Sequence, residues 1–217
     1  MRALGLAAVV ALLLSACSTS WSEIAPAANA RTETTVVPPS TLPAPPTTAF
    51  RLPQLPRFTL GATDIQAVNA PAELPESTQT QVQSVLDRYL NNALVIPMRT
   101  GTPVPDLGNV FAGPVLDRLS GPDRAALLDD VIPKAEDVLV GEATADLIAL
   151  VGPDGVAVLA VSIRIVMTGT VEGGPVNIER TGEFQMAPEG GDLRVSGYDV
   201  SVTRTGPEGV MTTTTTP

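Results

Sequence analysis

Between residues 138 and 205 apolar side chains recur at every second position, and this period commits that part of the chain to a β-sheet. The pattern comes in four runs, 138–151, 156–171, 176–187 and 193–205. Gly152-Pro153-Asp154-Gly155, Glu172-Gly173-Gly174-Pro175 and Pro188-Glu189-Gly190-Gly191 separate them. Glycine and proline supply the backbone angles of tight turns, so the runs predict an antiparallel meander of four long strands. Leu159, Val161, Ile163, Ile165 and Met167 share one face of the second run, while Val176, Ile178, Gly182, Phe184 and Met186 share one face of the third. The third run turns Asn177, Glu179, Thr181, Glu183 and Gln185 the other way, as expected of a sheet covered on one side and wet on the other.

The fourth run changes phase. Leu193 and Val195 alternate in one sense and Tyr198, Val200 and Val202 in the other, which predicts a bulge at Ser196-Gly197, with Gly197 in a conformation open only to glycine and the sheet curled there. Ahead of the strands, Thr78-Gln79-Thr80-Gln81 reads as a capping box. Val82, Val85, Leu86, Tyr89, Leu90 and Ala93 follow at helical spacing, predicting an amphipathic helix over 78–93 that Pro97 prevents from continuing. Two short helices are expected near 109–119 and after Ser120-Gly121-Pro122-Asp123. The fold class is therefore α+β, with three helices on one face of a curved four-stranded antiparallel meander spanning 77–206.

The first 76 residues do not share this patterning. Pro38, Pro39, Pro43, Pro45, Pro46, Pro53, Pro56, Pro71 and Pro75 remove donors and fix φ, so 17–76 is expected to be a disordered Pro/Thr-rich tether and 207–217 a disordered Thr-rich tail. Within the tether, Phe50, Leu52, Leu55, Phe58 and Leu60 predict an arm lying against the domain. Residues 1–16 open with Arg2, pass through an apolar run and end at Leu14-Ser15-Ala16, directly before Cys17. That run is short for a bilayer span and has the form of a secretory signal. The segment resembles the lipobox of bacterial lipoproteins, which implies cleavage before Cys17, diacylglycerol on its thiol, and a lipid-anchored protein on the extracytoplasmic face of the cell membrane.

Composition then excludes chemistry. The 217 residues contain no histidine and a single cysteine, so an internal disulfide, a thiol nucleophile within the domain and a His/Cys zinc site are ruled out. Thirteen basic against twenty-three acidic residues give a net charge of −10, which repels nucleic acid and anionic headgroups. Asp129-Asp130 with Glu136-Asp137 lacks the alternating oxygen ligands and glycine of a calcium loop and is expected to be a solvated helix end. No metal, cofactor or catalytic residue is assigned.

The order of elements resembles the NTF2-like, or cystatin-like, α+β cone. The stretches from Gly121 to Leu128 and from Gly197 to Arg204 are similar to segments of uncharacterised actinobacterial lipoproteins of that architecture. A pocket between sheet and helices is what the resemblance implies. Arg180 on an apolar face, Asp146 in the first strand and Tyr198 after the bend are the candidate ligand-binding residues, against the plainer reading of an edge arginine paired with a carboxylate and a core tyrosine with its hydroxyl at the rim. The functional expectation is a non-catalytic binding or scaffold module, tethered through Cys17 and facing another envelope protein. The alternatives are a carrier holding a small apolar ligand among Leu159, Ile163, Ile165, Phe184 and Met186, and an NTF2-like enzyme.

Overall fold

Alternation of apolar and polar residues does produce the meander. The computed structural model describes residues 54–67, 73–102, 106–152 and 155–215, all within the unit Phe50–Pro217. Strands β2 (Glu136–Gly152), β3 (Gly155–Val171), β4 (Gly174–Glu189) and β5 (Asp192–Gly206) pair antiparallel in chain order. At the β4–β5 turn Gly190 and Gly191 have φ of 65° and 95°, a pair of left-handed residues that matches the twist of the flanking strands.

Two further strands enlarge this sheet. β1 (Thr59–Ala67) pairs parallel with β2, and β6 (Gly209–Thr214) pairs antiparallel with β5. The described residues thus form one mixed sheet of six strands, ordered β1 to β6, that neither closes nor curls strongly. This overturns the curved four-stranded NTF2-like cone. Strand β1 lies inside the stretch read as tether, and β6 inside the stretch read as tail. The arm is present in part, since Phe58 is buried, Leu60 half-buried and Leu55 exposed. Phe50 and Leu52 fall outside the described residues.

The helical layer also departs from expectation. Helix α1 (Glu76–Arg88) begins at Pro75 without a side-chain cap, so Thr78-Gln79-Thr80-Gln81 is not a capping box; Gln79 donates instead to the Leu74 carbonyl at 3.1 Å. Helical backbone then continues past the predicted stop. A π-helical segment, Tyr89–Val95, closes with the Ile96 N–H on the Asn91 carbonyl five residues back, and α2 (Ile96–Thr100) follows with Pro97 in its first turn. Pro97 cannot donate to the Ala93 carbonyl four residues back, and the Asp129 N–H does, at 3.1 Å. Gly101, with φ of 70°, ends α2 in the left-handed conformation typical of helix ends. The short helices are α3 (Gly113–Arg118) and α4 (Arg124–Leu127).

One face of the sheet packs against these helices. Val82, Val85, Leu86, Leu90 and Leu94 are buried, and Tyr89 meets Phe111 and Phe184 edge-on at centroid distances of 5.9 and 5.0 Å. The expected bulge in β5 is real, because Gln185 pairs with Gly197 and Met186 with Val195, leaving Ser196 as the extra residue. Tyr198, Val200 and Val202 are consequently returned to the buried face. Gly197 does not have positive φ, so conformational need does not explain it. A Cβ there would instead meet the Gln185 side chain at 2.8 Å.

Candidate functional site

Helix α4 is only one turn long, so its terminal carbonyls have no helical donors and must find partners elsewhere. Side chains supply them. Arg204 Nη2 donates to the Ala125 and Leu128 carbonyls at 2.6 and 3.1 Å, Arg180 Nε to the Ala126 carbonyl at 3.0 Å, and the Tyr89 hydroxyl to the Leu127 carbonyl at 3.0 Å. Both arginines then converge on Asp129, the second residue beyond the helix. Arg180 binds it in fork fashion, Nη1 and Nη2 each at 3.0 Å from a separate oxygen, and Arg204 Nη2 lies 2.7 Å from Oδ1.

This cluster is sealed. Arg180 and Asp129 have no exposed surface and Arg204 is buried. Burial on its own would raise the Asp129 carboxyl, but the Arg180 and Arg204 guanidiniums outweigh it and hold the group below its ordinary 3.8. Burial opposes the charge on Arg180, yet Asp129 keeps its affinity for the proton above normal. The Tyr89 hydroxyl is pushed up to about 12, chiefly by burial. Two cations facing one carboxylate leave an excess positive charge, and the carbonyl dipoles of Ala125, Ala126 and Leu128 point at it. Arg180 is therefore paired with a carboxylate, but in the middle of the core rather than at an edge. The solvated-helix-end reading of the acidic cluster fails for Asp129. Asp130 pairs with Arg124, while Glu136 and Asp137 are exposed at the start of β2.

Tyr198 lies on the same sheet face as Arg180, four residues from its level, since Phe184 pairs with it across β4 and β5. Its hydroxyl donates to Asp123 Oδ2 at 2.7 Å, and the Arg118 guanidinium stacks 5.0 Å from its ring centre while also reaching Asp123 at 3.0 Å. Burial first, then the bond and charge of Asp123, push the Tyr198 hydroxyl up to about 12. Asp146 is on the opposite, exposed face, where Oδ1 accepts the Ala62 N–H at 2.7 Å. That bond spans the bulge of β1 between Leu60 and Thr63. The three predicted ligand-binding residues are not brought together, and Cys17 lies outside the described residues.

The exposed face has an organisation that the strands' phases alone did not reveal. Register places Asp146, Ser162, Glu183 and Asp199 on one rung across β2 to β5. Two rungs away Arg164 bridges Glu142 at 3.1 Å and Glu179 at 2.9 Å. No such cation serves Glu183 and Asp199, which stand directly opposite each other; among the described residues neither forms an ion pair. Like charges in that relation destabilise a sheet. A shallow hollow of about 560 Å³ opens here, lined by Ser162, Glu183, Asp199 and Ser201 among others.

A second groove runs between the arm and α1, but its polar wall is already engaged. Gln83, Asp87 and Asn91 bond the backbone of Phe58 and Pro56. Among the described residues no cluster of three or more acidic, cysteine or histidine residues is placed to hold a metal. No helix among the described residues is long and apolar enough to cross a membrane. The similarity of residues 121–128 and 197–204 to actinobacterial lipoproteins gains no support, because no known protein family, curated protein or solved structure matches this chain.

Proposed function

We propose that the chain is a non-catalytic binding module of the cell envelope, held to the extracytoplasmic membrane face by lipid on Cys17 and engaging a basic group of another envelope protein with the exposed face of its sheet. The observation that carries this reading is the Glu183–Asp199 pair, two carboxylates facing each other on adjacent strands with no arginine between them. Such a pair lowers stability by a few tenths of a kcal/mol up to about 1 kcal/mol, and a positive partner group relieves it. The residues a carrier would use to line a cavity, Leu159, Ile163, Ile165, Phe184 and Met186, are instead packed into the core. Anchoring fits the charge of the chain as well, since a net −10 is repelled by anionic headgroups and needs a covalent lipid to stay at a membrane.

One experiment tests both halves. Wild type, Cys17→Ala and the Glu183→Gln/Asp199→Asn pair are expressed in the same cells, crosslinked mildly, and separated by detergent phase partitioning. Cys17→Ala is expected to leave the detergent phase. The carboxylate pair variant is expected to stay there, melt slightly higher than wild type, and lose its crosslinked partner. Unchanged partitioning of Cys17→Ala overturns the anchor, and an undiminished crosslink in the pair variant overturns the binding face.

A further inference from the structure

The two edges of the sheet are built differently. β1 is interrupted by a bulge at Gly61 and Ala62 and carries Asp64, and both features discourage another strand from pairing there. β6 has neither. Its sequence, Gly-Val-Met-Thr-Thr-Thr, holds no charge and no proline, it pairs with β5 without a register shift, and among the described residues no strand lies beyond it. Val210, at 69%, is the most exposed large apolar side chain among the described residues, and its neighbour Met211 is 62% exposed. In a chain of net charge −10 this is a neutral, apolar, unguarded edge.

We propose that β6 is a dimerisation strand, along which two copies of this chain pair antiparallel about a two-fold axis at Thr212 to extend the sheet across both. The ladder fixes the register. Thr215 donates its N–H inward to the Val200 carbonyl, so alternation turns the amides of Val210, Thr212 and Thr214 away from β5. Centring the axis on Thr212 sets it opposite its own copy and Val210 opposite Thr214 of the second copy. Every outward amide of the strand then gains a partner, and Val210 is covered by a threonine on the exposed face. A second copy suits this edge because an antiparallel pair needs only self-complementarity, which a two-fold axis supplies. β6 itself brings no like charges together: in this register Glu208 of one copy is separated from Glu208 of the other by roughly 27 Å along the strands.

The test introduces a single thiol in the full chain carrying Cys17→Ala, so that no other cysteine competes and the outcome does not depend on the lipid. Thr212→Cys is expected to form a disulfide-linked dimer under mild oxidation, since directly opposed residues lie within disulfide reach. Thr63→Cys on the other edge and Arg164→Cys on the sheet face should stay monomeric. In sedimentation, Thr212→Pro should lose the dimer yet keep the melting behaviour of the monomer, because that N–H is not used by β5. Val210→Lys/Met211→Lys serves the same purpose without a proline. A monomer at all concentrations, crosslinking of the control positions as fast as Thr212→Cys, or a dimer that survives the lysine pair overturns the proposal.

Discussion

Asp129 is the residue on which the helical layer and the sheet are joined. Removing its carboxylate leaves Arg180 and Arg204 buried without a counter-charge, and losing one partner of a buried ion cluster costs about 3–5 kcal/mol. Asp129→Ala is accordingly expected to lower the urea midpoint far more than Asp130→Ala, whose partner Arg124 is part-exposed. The pH dependence has a defined sign. The Asp129 carboxyl is held below its unfolded value, so the stability it contributes is complete above that value, and it is lost as the pH falls from about 4 through the lower folded one. Asp129→Asn should be less stable than wild type at neutral pH, with the gap narrowing below about pH 4 in denaturant titrations; a constant gap would show that the carboxyl binds its proton equally well folded and unfolded, and a gap that widens below about pH 4 that its folded affinity is raised rather than lowered. Half of this cluster was legible in advance. Arg180 stood out as a cation in an apolar phase, and Arg204 shares the phase of Tyr198, Val200 and Val202, a signal of the same kind that was present and unused. Asp129 was not legible, because its burial follows from the Ala93 carbonyl capturing its N–H, a contact between residues far apart in sequence.

Among the elements, β4 leaves no room for a side chain against β5 at Gly182. A Cβ there would collide with the Asp199 carbonyl and lie 2.8 Å from the Val200 Cα, both backbone atoms that move only if the strands separate. At Gly197 a Cβ meets only the side chain of exposed Gln185, which can swing aside. Gly182→Ala should therefore destabilise the domain by about 1–3 kcal/mol, whereas Gly197→Ala should stay within about 0.5 kcal/mol, as denaturant melts of the two variants would reveal. Equal losses would refute the close approach. The contrast also explains which elements were readable. β2 to β5 declare themselves because alternate burial is written into their composition, and the phase change in β5 placed its bulge at Ser196-Gly197. β6 is half threonine and has no apolar alternation, so only its hairpin partner defines it. β1 sits among prolines, and its parallel pairing with a strand some eighty residues away leaves no local trace. The π-helical segment is hidden for a related reason: Pro97 reads as a stop unless the preceding turn is known to widen.

At the scale of the molecule the question is where the folded unit begins. A boundary at residue 77 follows from proline content, but the structure puts Phe58 in the core and binds the arm to α1: Asp87 accepts the Phe58 N–H at 2.8 Å, Gln83 donates to the Phe58 carbonyl at 2.9 Å, and Asn91 donates to the Pro56 carbonyl at 3.0 Å. β1 in addition covers the edge of β2. A chain shortened to start at Leu74 would lose the burial of one phenylalanine, about 1.5–3 kcal/mol, and would leave Asp87, Gln83 and Asn91 without these partners. For a unit of this size each kcal/mol lowers the melting temperature by about 2–4 °C, so that shortened chain should melt on the order of 5–15 °C below one starting at Gln54. The chain starting at Gln54 keeps every contact just described and should melt with the full-length Cys17→Ala protein. Calorimetry of the three proteins separates the possibilities. Coincident melting of the Leu74 and Gln54 chains would show that residues 54–67 add nothing to the stability of the fold, whereas a step between them makes β1 part of it.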